Sequence, residues 1–251
     1  MTSWRAMKKI AVLNQKGGTG KTTTAAMIAS GLSRRGKNIL LVDLDPQGSL
    51  AIWFNLKPVK SMYHIIAEGA DWKDCALDVK EGLLVIPSNR TLAQAEIGLA
   101  SAKNRELALK TALQSVSNID YVILDCAPSL NLLNLNAMMY SDMVFVPVAM
   151  DYFSLIGVKE VLYNLKLVNK RMGHGLKIGM VIPTFYDGRD RKSREVLSIL
   201  HKHFKGVVSD PVRKNVKLSE AVGAHMDIFE FAPDSHGAQD YSKIIDRMIN
   251  A

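Results

Sequence analysis

Five short runs of this chain are apolar at nearly every position: residues 10–13, 39–42, 121–124, 143–148 and 178–182. A strand with one face in water alternates, whereas one covered on both faces does not, so these runs predict buried strands of a mainly parallel sheet. Residues 83–86 add a further strand. Between the runs, apolar residues recur at helical spacing over 22–34, 102–116, 154–169, 191–203 and 239–249. Gly36 closes the first of these helices, and Asp151 or Ser154 starts the third. Right-handed crossovers then give a single doubly wound α/β sheet with helices on both faces. Its ligand crevice lies at the carboxyl ends of the strands.

Polar residues gather at those ends: 14–21 after the first strand, Asp43 and Asp45 after the second, Asp125 after the third, and 184–187 after the last. The first group reads Lys16-Gly17-Gly18-Thr19-Gly20-Lys21-Thr22-Thr23 and opens an amphipathic helix. Glycines let the backbone wrap an anion so that successive N–H groups point inward, and the helix adds the positive end of its dipole. Lys21 is then placed for the β- and γ-phosphates of a nucleotide and the Thr22 hydroxyl for Mg²⁺. The usual P-loop spelling is not met, because Gln15 stands where its first glycine belongs. A dinucleotide fingerprint fails at Thr23. Residues 121–125 have the form of a Walker B strand, and Asp125 is expected to hold the Mg²⁺ sphere through water. Alternation along an extended chain puts Asp43 and Asp45 on one side.

The second lysine makes the loop distinctive. K-G-G-x-G-K-[ST]-T resembles the deviant Walker A loop of the ParA/MinD family, closest to its ParA/Soj-type partitioning ATPases. Asp43-Leu44-Asp45-Pro46-Gln47 is similar to the family's first switch, Asp125-Cys126-Ala127-Pro128-Ser129 to its second, with Ala127 in place of proline. Residues 213–221 resemble the segment that flanks the adenine, with Arg213 in place of proline and Asn215 matching; the pattern 233–241 matches as well. The likeness runs from about residue 7 to about 249. It implies a P-loop ATPase that takes ATP and Mg²⁺, with Gly17, Gly18, Thr19, Gly20, Lys21, Thr22, Thr23, Arg213 and Asn215 on the nucleotide. Asp43 and Asp125 serve the metal region with Thr22, and Asp45 positions or deprotonates the attacking water. Lys16 reaches nucleotide held by the other subunit of an ATP-sandwich homodimer. Hydrolysis is slow, partner-stimulated, and dissolves that dimer.

Length and composition fix the class. The 251 residues hold no linker, low-complexity tract or internal repeat, so residues 7–251 are expected to form one domain, with 1–6 a disordered extension before a native start at Met7. With 48% apolar and 22% charged residues the chain lies far from the disordered regime. No run nears the ~18 apolar residues of a membrane span, and 10–13 is too short for a signal peptide. Cys75 and Cys126 cannot build a secreted disulfide framework or a zinc motif, and His201 and His203 point to different helix faces. A cytoplasmic protein is expected.

Charge selects among functions. The net charge is +8, and residues 189–217 carry nine Lys/Arg against three acids. Such a face suits a polyanion, so Arg189, Arg191, Lys192, Lys214 and Lys217, with Lys243 and Arg247, are candidates for nonspecific DNA. The expected function is a positioning ATPase, nucleoid-associated in its ATP state, that partitions a plasmid, a chromosome or a protein assembly with a ParB-like or other adaptor. The rivals are a MinD-type membrane-cycling ATPase and a metabolic or metal-cluster carrier using the same loop. Residues 241–251 are poor in cations and bulky apolar groups for an interfacial helix, which counts against the first rival.

Overall fold

The computed structural model describes residues 7–129 and 131–250; the extension expected at 1–6 lies outside them. Its strands are β1 (Lys8–Val12), β2 (Ile39–Asp43), β3 (Leu77–Lys80), β4 (Leu83–Ile86), β5 (Tyr121–Asp125), β6 (Met143–Ala149) and β7 (Lys177–Thr184). The helices are α1 (Lys21–Ser33), α2 (Ser49–Trp53), α3 (Met62–Glu68), α4 (Trp72–Cys75), α5 (Leu92–Leu99) and α6 (Ala108–Ala112). They continue with α7 (Leu132–Tyr140), α8 (Tyr152–Met172), α9 (Arg191–His203), α10 (Lys217–Gly223), α11 (Ile228–Phe231) and α12 (His236–Asn250).

All seven strands join one sheet in the order β3-β4-β2-β5-β1-β6-β7, parallel except for β3 at its edge. The apolar runs are continuous because each strand feeds two cores. In β2, Leu40 and Val42 pack on one side while Ile39 and Leu41 pack on the other; β5 divides Val122 and Leu124 from Tyr121 and Ile123 in the same way. One face is covered by α1 and α12, the other by helices that include α7 and α8. The result is the doubly wound, mainly parallel α/β fold.

Gly36 takes the left-handed turn that ends α1, with its N–H on Ser33 O at 2.8 Å. The helix expected over 102–116 is not continuous. Asn104 sits in the left-handed region at φ 55, a 3-10 turn spans Arg105–Leu107, and only α6 follows. Leu109 and Leu113 still reach the core, so the apolar spacing reported burial correctly and helix length wrongly. No helix among the described residues is long and apolar enough to cross a membrane.

Candidate functional site

The glycine-rich loop leaves β1 already anchored. Leu13 N–H donates to Phe145 O at 2.9 Å, and buried Asn14 donates from Nδ2 to Pro147 O at 2.7 Å while its Oδ1 accepts from Lys16 N at 3.0 Å. Gly18 and Gly20 then turn through φ 72 and 83, a region open to glycine without a steric penalty. Gly20 caps α1 with no side-chain hydrogen bond, and the first turn carries no acid, so the helix presents its amides and dipole to an anion. Thr19 is pinned from behind, its carbonyl accepting from Thr184 Oγ1 at 2.9 Å. Lys21 is buried, with Nζ donating to Lys16 O at 3.0 Å. Burial lowers its pKa, and the charges of Asp125 and Asp45 act against that shift.

Two carboxylates face this loop from adjacent strands. Asp43 and Asp125 are register partners of β2 and β5, and Val12 of β1 is the partner of Asp125 on its other side. Both are fully buried. Asp43 accepts from Asp45 N at 3.0 Å and Leu50 N at 3.2 Å, so its carboxylate straps the first switch to the start of α2. Burial, then the neighbouring charge of Asp125, drives its pKa well above the usual range. Neither oxygen of Asp125 has a well-formed hydrogen bond, and burial pushes its pKa up to about 7, against the Thr22 hydroxyl, which favours the charged form. An orphaned buried carboxylate beside a hydroxyl fits a divalent cation. Mg²⁺ keeps waters and phosphate oxygens in its shell, so one carboxylate and one hydroxyl are a sufficient protein contribution.

Asp45 stands where β2 has already ended. A turn places it, with Gly48 N–H on Asp45 O at 3.0 Å and Gln47 N–H on its Oδ1 at 2.9 Å, so strand alternation does not govern its direction. The second switch is held by Asn134, whose Nδ2 donates to Ala127 O at 2.9 Å and also to Ser129 O. Cys126 is buried and its thiol pKa is driven upward by burial; Cys75 is buried too.

Lys16 does not enter its own loop. Its Nζ lies 2.6 Å from both oxygens of Asp151, the N-cap of α8, and 3.1 Å from Ser154 Oγ. The pair is about one-third exposed. Burial alone raises the pKa of Asp151, but Lys16 and the Ser154 hydrogen bonds overcome it and hold the carboxyl below its usual range. Gly157 makes the approach possible, since a Cβ there would run into Asn14. Sequence reasoning saw Asp151 and Ser154 only as a helix start; nothing local couples them to a lysine 135 residues away.

Beside Gly20 lies a cavity of about 370 Å³, lined among others by Thr23, Thr184, Phe185, Asn215 and Tyr241. Arg213 also lines it, but its guanidinium is turned away: Nε and one terminal nitrogen grip Asp240 of α12 at 2.7–3.1 Å. In this structure the head group expected on the nucleotide is an internal tie. Phe185, half exposed with a left-handed backbone at φ 54, was not singled out in the sequence and forms one wall.

The basic residues fall into two groups. Arg189, Arg191, Lys192, Lys214 and Lys217 cluster by sequence and strand register near the carboxyl end of β7, where Tyr186 bridges Arg213 and Lys214 N–H donates to Tyr186 O. Arg189 pairs with Asp187, Arg191 with Glu195, and Lys217 with Glu220. With Arg189 and Arg191 themselves 92% and 86% exposed, these pairs are weak and leave the cations open to a stronger anion. Arg247 is elsewhere. It donates to Gly206 O and Val208 O, and Val208 bridges Val181, in the middle of β7, whereas Tyr186 lies beyond the end of that strand. There it rims a groove with Lys8 and Lys177 at the opposite pole. Lys243 is exposed one helical turn before it.

Comparison with known proteins accords with this geometry. A family described as AAA domain matches residues 7–178. The sporulation initiation inhibitor protein Soj of Bacillus subtilis is 39% identical over 240 residues, 93% of this chain and 95% of Soj. The chromosome partitioning protein ParA of Caulobacter vibrioides is 33% identical, with 97% of this chain and 94% of ParA covered. Cobyrinic acid a,c-diamide synthase from Mycobacterium smegmatis, solved with an ATP analogue and magnesium, superposes with a TM-score of 0.84 at 32% identity over 98% of this chain and 95% of that one. With a left-handed glycine loop, a second lysine at its rim and register-paired aspartates behind it, the chain belongs to the ParA/MinD family of deviant Walker A P-loop ATPases, on its Soj/ParA branch.

Proposed function

We propose that this ParA-type positioning ATPase dimerises around ATP, binds nonspecific DNA in that state, and is released when an adaptor stimulates hydrolysis. The observation that carries the reading is the position of Lys16: its head group is held by Asp151 and Ser154 at the first turn of α8, whereas Lys21 Nζ is held against the loop's own Lys16 O. A cation on the loop's outer rim is available to nucleotide in a second copy of the chain. Within one protomer the loop amides and Lys21 neutralise the β- and γ-phosphates, and Thr22 with Asp125 would hold Mg²⁺, which supplies further charge neutralisation when bound. Asp45 orients the water whose oxygen bonds the γ-phosphorus as the bond to the β–γ bridging oxygen breaks, giving ADP and phosphate. Lys16 arriving from the partner adds positive charge where the transition state gains negative charge.

The membrane-cycling rival is weighed on the apolar stripe of the C-terminal segment. That stripe, Tyr241, Ile244, Ile245 and Met248 of α12, is already buried in the core against α1. A cluster carrier would need exposed cysteines, and both are buried. The Caulobacter relative is named for chromosome partitioning, which supports a chromosome as the cargo.

Lys16→Ala is expected to bind ATP as a monomer yet neither dimerise nor hydrolyse, whereas Asp45→Ala dimerises and is trapped. Light scattering with ATP, paired with phosphate release, decides it. A stable Lys16→Ala dimer overturns the trans role, and normal turnover by Asp45→Ala removes that aspartate from the reaction.

A further inference from the structure

The first switch is tied to the basic segment by two hydrogen bonds that the phosphate chemistry does not use. Asp43, beside the metal end of the site, accepts the Leu50 N–H and so fixes the start of α2. At the other end of that five-residue helix, buried Trp53 donates from its indole Nε1 to Met226 O at 3.0 Å. One residue earlier, Ile52 O accepts from His225 Nδ1 at 2.9 Å, which fixes the proton on that nitrogen. His225 and Met226 form the turn that ends α10: their amides donate to Val222 O and Ala221 O, and His225 holds a left-handed φ of 57. Trp53, Leu50 and Ala221 share one buried cluster. The far end of α10 begins with Lys217 and adjoins Lys214 and Asn215, and its Leu218, Ser219 and Val222 line the cavity beside Gly20.

We propose that Trp53 and His225 are positioning residues that carry the state of the first switch to α10 and the basic segment 213–217. The reasoning is mechanical. Rearrangement of the turn around Asp45 when a γ-phosphate is present must move the start of α2, because Asp43 holds both. A helix of one and a half turns moves as a body, and its other end is bonded to the α10 turn rather than to loose chain. Neither Trp53 nor His225 touches the nucleotide cavity, so their removal separates coupling from binding. A coupling of this kind is expected to be worth about tenfold in the equilibrium it biases.

The inference rests on the switch reading of Asp45 and does not require the DNA reading. The test compares amide hydrogen exchange over 217–226 with Mg²⁺ and either ADP or a non-hydrolysable ATP analogue, in the Lys16→Ala background so that a dimer interface adds no protection of its own. Base contacts are common to both nucleotides, so the difference between them reports the switch. The parent variant is expected to show about tenfold slower exchange with the analogue than with ADP. Trp53→Phe, which keeps the ring packing and deletes the donor, collapses that difference while nucleotide affinity stays within about twofold. His225→Gly deletes the other bond without straining a left-handed position and shifts it the same way; it stands in should Trp53→Phe fold poorly. An undiminished difference in both variants, or none in the parent, overturns the link. The exchange difference in the Lys16→Ala background, together with no duplex binding by the dimer-forming Asp45→Ala chain in ATP, overturns the DNA reading alone.

Discussion

Asp125 sets a pH dependence for the nucleotide-free chain. Its carboxyl is fully buried without a well-formed hydrogen bond, and its pKa is raised to about 7, beside Asp43 whose pKa is raised as well. An acid with a folded pKa above its unfolded value of about 3.9 costs nothing while it is protonated in both states, and its penalty grows as pH climbs from there to about 7. Stability is therefore lost with rising pH across that window, and the two aspartates titrate as a pair. Asp125→Asn, a neutral near-isostere, is expected to melt higher than the parent chain at about pH 8 and to match it near pH 4, with roughly 2–4 °C for each kcal/mol recovered. The same substitution should abolish Mg²⁺-dependent tightening of ATP binding. Thermal melts at the two pH values check the first outcome; a variant that melts lower at both shows Asp125 to be a structural anchor instead.

Helix α8 ties the loop to the rest of the molecule through its first turn. Asp151 caps that turn by accepting the Ser154 N–H at 2.9 Å, and the same carboxylate grips Lys16. Serine keeps the capping oxygen and removes the charge, so Asp151→Ser should free Lys16 at a cost of a few tenths of a kcal/mol in helix stability. If docking on Asp151 competes with a partner's nucleotide, this variant dimerises at several-fold lower ATP than the parent chain in a light-scattering titration. An unchanged midpoint shows that the pair imposes no barrier. Such elements also show what could be read in advance. The five buried strands, α1, α9 and the loop were legible because apolar continuity and glycine spacing are local signals. The break at Asn104 was not, since its left-handed backbone overrides an apolar spacing that still serves the core. The grip of Asp151 on Lys16 and the turn of Arg213 toward Asp240 join residues far apart in the chain, and no single stretch records them.

For the whole molecule, the distribution of cations over two poles turns a diffuse expectation into a discriminating one. The cluster near the carboxyl end of β7 lies beside the cavity next to Gly20, because Lys214 shares the strand-like segment that bridges Tyr186 and lines that cavity. Arg247, with Lys8 and Lys177, lies at the other end of the sheet. The proposed dimer around two nucleotides would join protomers at the pole that carries the first groups and leave the second groups remote. Duplex DNA should consequently bind with ATP and not with ADP, without regard to sequence, and each phosphate neutralised should add about 0.9 to the slope of log affinity against log salt. Arg189→Ala and Lys214→Ala are expected to weaken binding and to flatten that slope by about one unit for each phosphate that a protomer no longer neutralises. Arg247→Ala should leave the slope alone and lower the melting temperature, because its guanidinium ties two backbone carbonyls, of Gly206 and Val208, to α12. A mobility-shift titration of Asp45→Ala in ATP and in ADP, repeated over salt with the three substitutions, reads the binding outcomes, and a thermal melt of Arg247→Ala reads the other. Equal binding in both nucleotides would reduce the basic face to ordinary solvated charge. Loss of DNA binding on Arg247→Ala with Arg189→Ala silent would move the interface to the far pole of the sheet.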